Sequence, residues 1–373
     1  MASRGRIHSL DGVRGVASLV VMVYHVSLVC RPYIDPVGWA WLTQSPVKLL
    51  LVGTESVLVF FVLSGLVVAL PALKDSFSWR GYYPHRVLRL YLPVIASLLF
   101  ATALIFLFAR DPATAPDGSW LQNAQAHTVT PAGFFSEASL FRISYDINNV
   151  LWSLRWEVIF SLCLPAFVGL AVLLRKHAVI LAVACGFLTV LGRVIEIDAL
   201  VYLPVFMFGT LIAVHLERLT TWAARRARPR LWAATAALAC LLMVGSWLAR
   251  PVFEPGTLAN SILWGLAGIG AALIIVIAIA WPALRERLER RPVQWLGKVS
   301  FSLYLVHAPI LGTLGYLFGA EYWWAVGLVG VPLSVAVAAG FYRWVEAPTQ
   351  RASRRVGIWV AERTTTRRRA LAG

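Results

Sequence analysis

The sequence predicts an all-α, polytopic membrane protein with about ten transmembrane helices and both termini cytoplasmic. Three observations carry that prediction. The 373 residues are 59% hydrophobic and only 14% charged, and the mean hydropathy of +0.72 lies above that of soluble domains. Apolar runs long enough to cross a hydrocarbon core of roughly 30 Å recur from end to end. Cytoplasmic loops retain Lys and Arg, and with the N-terminus inside, 26 of the 34 basic residues fall on inner segments or the inner ends of spans, six on outer segments, and Arg14 and Arg155 are counted as within spans. Removing one span would invert every later loop and destroy that bias.

The expected spans are 12–30, 49–73, 87–109, 149–174, 178–192, 199–216, 231–249, 259–282, 296–318 and 322–345. The first follows the basic "MASRGRIHSL" and reads as a retained helix rather than a signal peptide. Asp11, Arg14 and His25 interrupt its apolar region, and no small-x-small cleavage site follows. The second span stops at Lys74, and the third follows the inner Arg80/Arg86/Arg89 group and ends at Arg110. Residues 110–148, with "DPATAPDGS", form an outer loop rich in Pro, Gly, Ala and Ser. The fourth span closes on Arg175 and Lys176; the fifth is short. Basic clusters at Arg218–Arg230 and Arg285–Lys298 bracket the sixth to ninth spans on the inner side, and the tenth runs into a basic tail. The sequence shows no internal repeat and no soluble domain. Residues 1–350 read as one membrane domain, and 351–373, with "RTTTRRR", as a disordered cytoplasmic tail. No further domain is expected after the tenth span.

A net charge of +16 raises the question of nucleic acid, but the inner-side bias accounts for it, and anionic inner-leaflet lipid is the expected contact. Cys30, Cys163, Cys185 and Cys240 lie singly in or beside spans without ligand spacing, so neither a disulfide nor a metal site is expected.

Polar residues inside the spans carry the functional signal. In "DGVRGVASLVVMVYHV", residues 11–26, Arg14 and His25 are eleven positions apart. That is almost three helical turns, so they share one face about 16 Å apart, with Asp11 and Ser18 on the same stripe. A polar stripe in a span faces protein or a water-filled cavity. Arg14 alone reads equally well as a side chain reaching inner-leaflet phosphates; His25, deep in the span, has an ordinary pKa suited to proton transfer. Glu157 in the fourth span is expected in the outer half, level with His25, or else paired with Arg155 or another donor to hold helices together. Tyr304 and His307 share a face of the ninth span. Glu346 is expected to form a structural ion pair with Arg343. His8, His85, His127, His177 and His215 are assigned no role.

"LDGVRGVASLVVMVYH" resembles the opening motif of the acyltransferase 3 family, integral-membrane enzymes that O-acylate carbohydrates and glycosylated acceptors. The resemblance continues in family order through "FFVLSGLVVA" (60–69), "RVLRLYLP" (86–93), "LWSLRWEVIFSL" (151–162), "GKVSFSLYLVHAPIL" (297–311) and "YRWVEAP" (342–348). It implies an acyl-CoA donor, with acetyl expected, reached from the cytoplasm, and an acceptor hydroxyl on a carbohydrate or glycosylated small molecule. It also implies a multi-pass protein of a bacterial plasma membrane. On these motifs His25 and Glu157 are the expected catalytic residues, His25 as general base and Glu157 as the group orienting the imidazole or the acceptor. Arg14, Arg86 and Arg89 are expected on the CoA phosphates, for which guanidinium forks are well suited. Ser64, Trp152, Ser153, Tyr304 and His307 are expected to line the substrate site. Arg155 and Trp156 depart from what relatives carry, which bears on acceptor specificity. A secondary transporter or flippase also uses buried Arg, His and Glu and is the alternative.

Overall fold

The computed structural model describes residues 7–141, 145–225 and 228–372, with side chains as far as Arg363. Arg4, Arg6, Arg142 and Arg226, counted in the charge bias, lie outside the described residues. Every regular element among the described residues is helical. Among the described residues, nine helices are long and apolar enough to span a bilayer: His8–Tyr33, Gly53–Ala72, Trp79–Leu107, Arg175–Val194, Asp198–Arg225, Pro229–Leu248, Leu258–Ala280, Arg291–Phe318 and Ala325–Arg363. The pair Asn149–Leu162 and Leu164–Leu173, bent by 62°, passes the same test together and makes ten when counted as one span. Each expected span has its counterpart, and they are numbered first to tenth in chain order below.

The bend in the fourth span has an identifiable cause. Pro165 has no N–H to give the carbonyl of Ser161 four residues back. Tyr82 on the third span donates its hydroxyl to that oxygen instead, at 3.1 Å, and Tyr83 reaches the oxygen of Leu162 at 3.4 Å. The break is therefore closed by side chains, as the absence of water in a bilayer core requires.

The helices form two compact units, residues 7–27, 34–70 and 163–300 in one, and 28–33, 71–162 and 301–372 in the other. In the second unit the tenth span passes through a π-helical turn, Tyr342–Glu346, and continues as the helix Ala347–Ala372. The tail expected to be irregular from residue 351 is thus helical. Its charge concealed a seam of small residues: Ser353 and Gly357 are buried four positions apart, and Ala361 follows at the same spacing. A Cβ on Gly357 would stand 2.8 Å from the carbonyl oxygen of Gly81, and one on Gly81 would stand 2.6 Å from that of Gly357. Only glycine at both positions lets the third span and the tail helix cross so closely.

The first unit holds a buried cation between its spans. Lys48 precedes the second span and is 1% exposed. Its ammonium donates to the oxygen of Leu51 at 2.8 Å and lies 3.5 Å from the ring centroid of Trp247. The Arg250 guanidinium carbon lies 3.3 Å from the same ring centroid, and the Trp247 indole N–H donates to Glu55 at 2.9 Å. One ring therefore stabilises two cations while one carboxylate offsets part of their charge. Burial pushes the Lys48 amine down to about 8, against the pull of Glu55 and with a smaller contribution from Arg250.

Because the folded-state value lies below the unfolded one, the unfolded chain holds the proton that the folded chain releases between about pH 8 and 10.5. Stability from this group therefore rises with pH across that window. Thermal unfolding in detergent should show wild type gaining on Lys48→Met by at most about 3 kcal/mol between these limits. A difference that does not change with pH would mean Lys48 titrates normally.

Candidate active site

In the first unit the polar stripe on the first span is held by close backbone packing. A Cβ on Gly15 would come within 2.6 Å of the amide nitrogen of Gly297, so the helix beginning at Arg291 lies directly against it. Arg14, next to this contact, is half-buried and makes no hydrogen bond or ion pair to the described residues. Ser18 is fully buried and donates its hydroxyl to the oxygen of Gly15 at 2.8 Å. His25 is 8% exposed, and its Nδ1 lies 2.8 Å from the carbonyl oxygen of Val21. A carbonyl only accepts, so Nδ1 carries the proton, and Nε2 is left with the lone pair. The Tyr24 ring meets the imidazole edge-on at 5.5 Å between centroids. Ser64 on the second span is half-buried. A Cβ on its neighbour Gly65 would stand 2.1 Å from the oxygen of Phe206, so the small residue serves helix packing.

In the second unit Arg86, 9% exposed, is the hub. Its Nη2 donates to Glu157 Oε1 at 2.5 Å, and its Nε to Ser161 Oγ at 2.9 Å. The Ser161 hydroxyl in turn donates to the carbonyl of Glu157 at 2.6 Å. The ion pair expected as the alternative for Glu157 thus exists, and Arg86 is its partner there, which revises the expected depth. Arg86 lies only about 10 Å along a third span that is about 43 Å long, reckoned from the end at Trp79, and Glu157 is level with it.

The reason lies in where the fourth span begins. Asn148, immediately before it, donates to Ser97 Oγ at 3.3 Å, and Ser97 sits about 27 Å along the third span from the same end. The preceding segment has already descended well into the helical bundle before helix resumes, so Glu157 is carried nearer the other side. Two devices make this irregular stretch tolerable. The fully buried Glu137 carboxylate accepts from the N–H groups of Asp146, Ile147 and Asn148 at 2.8, 2.9 and 3.1 Å. On the ninth span Pro309 cannot donate to the oxygen of Leu305; Asn148 Nδ2 donates to it at 2.9 Å.

Just past this entry, Ser153 and Tyr304 share a hydrogen bond at 2.6 Å, and both hydroxyls reach the carbonyl of Val150, at 3.2 and 3.0 Å. His307, fully buried, stands 5.9 Å from the Tyr304 ring. It holds Nδ1 2.8 Å from the oxygen of Leu303, the arrangement seen at His25. Trp152 and Arg89 are half-buried. Glu346 accepts from the N–H and hydroxyl of Ser302 at 3.1 and 2.5 Å and from Gln350 at 2.7 Å. Its role is structural, as expected, but these partners stand where Arg343 was anticipated. Arg86, Glu157, Ser153, Tyr304 and His307 fall in the second unit, and Arg14, His25 and Ser64 in the first. Sequence reasoning missed Glu137, Asn148 and Ser161. Pro165 and Pro309 were the available signals, since each frees a carbonyl that some side chain must satisfy.

Residues 7–343 match the acyltransferase-domain family. The chain belongs to the acyltransferase 3 family. Curated relatives are distant. The O-acetyltransferase PaAT-1 of Phomopsis amygdali is 26% identical over 88% of this chain and 76% of its own length. The acyltransferase MdmB of Streptomyces mycarofaciens is 26% identical over 93% of this chain and 92% of its own. The putative peptidoglycan O-acetyltransferase YrhL of Bacillus subtilis is 24% identical over 92% of this chain; the match spans 54% of that protein's length. No solved structure matches. This acyltransferase 3 protein is therefore a multi-pass membrane acyltransferase, which sets the transporter alternative aside.

Breaking a buried pair leaves an uncompensated charge, costing about 3–5 kcal/mol when fully desolvated. With side-chain exposures of 11% and 22%, Glu157→Gln should fall near the lower end. Removing both charges with Arg86→Met and Glu157→Leu should recover most of that loss. Thermal unfolding of the three proteins checks this, and a double variant no better than the single one would show that the pair is not the cause.

Proposed function

We propose that this chain transfers an acyl group, acetyl in the simplest case, from acyl-CoA to a hydroxyl of a carbohydrate or glycosylated acceptor. The observation that carries the reading is the state of His25: a buried imidazole whose Nδ1–H is committed to Val21, so that Nε2 is the basic nitrogen. Nε2 removes the proton of the acceptor hydroxyl as that oxygen attacks the thioester carbonyl. The carbon–sulfur bond then breaks, and the departing thiolate takes the proton from the imidazolium, leaving an ester and free CoA. A thioester is already activated, so positioning and a base are the principal requirements.

Arg14, about 16 Å along the same helix from His25, has a guanidinium uncommitted to any described residue and is assigned to the phosphates of CoA. Arg89 is given the same task. Arg86, neutralised by Glu157, attracts phosphate less strongly; its task is to set the start of the fourth span against the third. Glu157 acts here as the positioning partner of Arg86 rather than as the group that orients His25. Trp152, Ser153, Tyr304, His307 and Ser64 are assigned to the acceptor. The termini are cytoplasmic in this reading, which places the Arg14 end on the side where acyl-CoA is made, and the membrane is a bacterial plasma membrane. Peptidoglycan, named for one relative, is one candidate acceptor, and a secondary metabolite is another.

His25→Ala should abolish transfer from radiolabelled acetyl-CoA by the purified protein while leaving its elution and thermal unfolding unchanged. Retained turnover would remove His25 from the chemistry. Mass spectrometry of surface glycans and extracted metabolites from cells with and without the gene identifies the acceptor.

A further inference from the structure

The segment leaving the third span buries polar groups that acyl transfer itself does not use. Arg110 is 6% exposed. Its Nη1 donates to the carbonyl of Ala126 and its Nη2 to the hydroxyl of Thr313, both at 2.8 Å. The Tyr316 ring centroid lies 5.7 Å from its guanidinium carbon. None of these neighbours is a carboxylate, and Arg110 Nε makes no hydrogen bond among the described residues. Burial lowers the guanidinium to about 10, so it is a cation at neutral pH. Gln125, 2% exposed, makes no hydrogen bond through either amide atom among the described residues.

The two side chains are tied to adjacent residues on two segments. Ala126, which anchors Arg110, follows Gln125, and Thr313, its second anchor, follows Gly312. A Cβ on Gly312 would stand 2.0 Å from Gln125 Oε1, so this glycine is what makes room for the amide. A buried cation without an anion and a buried amide without a partner among the described residues are each costly, and here both are held by adjacent residues. Two of the five guanidinium N–H groups are committed to neutral partners that fix its orientation. The Nε side, the amide N–H groups and the amide carbonyl are left over.

We propose that Arg110 and Gln125 form a carboxylate-binding subsite, and that the acceptor is accordingly an acidic sugar rather than a neutral one. A guanidinium presents its N–H groups to a carboxylate as a planar fork. The amide adds a donor for the second oxygen and an acceptor for a neighbouring ring hydroxyl. The word acceptor rests on the acyl-transfer reading above; the binding of the carboxylate does not. Phosphate shares the oxyanion chemistry, and the experiment separates the two.

Thermal unfolding of the full chain in lipid nanodiscs, followed by tryptophan fluorescence, is measured with methyl β-D-glucuronide, methyl β-D-glucoside and inorganic phosphate. The glucuronide should raise the midpoint saturably, the glucoside should not, and Arg110→Met should weaken the response at least tenfold. Gln125→Glu supplies an internal carboxylate beside Arg110, so it should raise the midpoint of the unliganded protein and remove the response to glucuronide. That variant keeps the test decisive should Arg110→Met fail to fold. Equal response to both sugars, response to phosphate alone, no response, or a response that survives Gln125→Glu would each overturn the subsite. In the transfer assay, equal acylation of both sugars would overturn the acidic acceptor while leaving acyl transfer intact. Glucuronide binding with no transfer to either sugar would count against acyl transfer and not against the subsite.

Discussion

A bilayer offers no water to an orphaned polar group, and the fold of this acyltransferase is governed by how it meets that condition. Each irregularity in its helices frees backbone groups, and a specific side chain takes them up. Pro165 frees the carbonyl of Ser161, and Tyr82 accepts the task; Pro309 frees that of Leu305, and Asn148 does the same. Glu137 collects three successive N–H groups where the chain runs inward without helix. These are the places where non-helical backbone enters membrane depth, and such backbone survives only when the protein itself replaces water.

Several of the proposed site residues cluster around these repairs for a physical reason. A continuous helix exposes only side chains at fixed spacing, whereas a broken one can present a short run of polar residues at mid-depth. Ser153, Tyr304 and the carbonyl of Val150 meet one turn after Asn148. Arg86, Ser161 and Glu157 meet immediately before the Pro165 break. Rigid positioning of buried polar groups is what an enzyme acting on an activated thioester requires most. The same hydrogen bonds that make the break tolerable therefore also fix the geometry of the site.

Much of this was legible in the amino-acid sequence, and the boundary is instructive. Spans are read from long apolar runs, and nine appear as helices where hydropathy placed them, with the bent pair at 149–173 making ten if counted as one span. The face shared by Arg14, Ser18 and His25 follows from helical periodicity alone. Depth in the fourth span was not legible, because it depends on where the 110–148 segment ends in space. Loops have no period from which that could be reckoned. The partner of Glu157 was missed for the same reason: placing it in the outer half excluded Arg86, which lies near the opposite end of the third span. The tail helix was hidden by its charge, since the burial of Ser353 and Gly357 is set by Gly81 on another span.

The outer basic residues bring the two levels together. Under the predicted orientation the outer side is nearly stripped of Lys and Arg, so each one retained there stands against the general bias. The structure gives several of them definite surroundings. Lys48 and Arg250 flank the ring of Trp247 beside Glu55, and Arg193 lies over Trp264, 4.9 Å from its centroid. Arg110 differs in being buried on neutral anchors, with no carboxylate among its described neighbours. A cation that topology disfavours, burial penalises and no carboxylate compensates persists most economically if its anion arrives with the substrate. Charge bias along the sequence thus marks the candidates, and among the described residues the partners found in the structure set Arg110 apart as a candidate for binding.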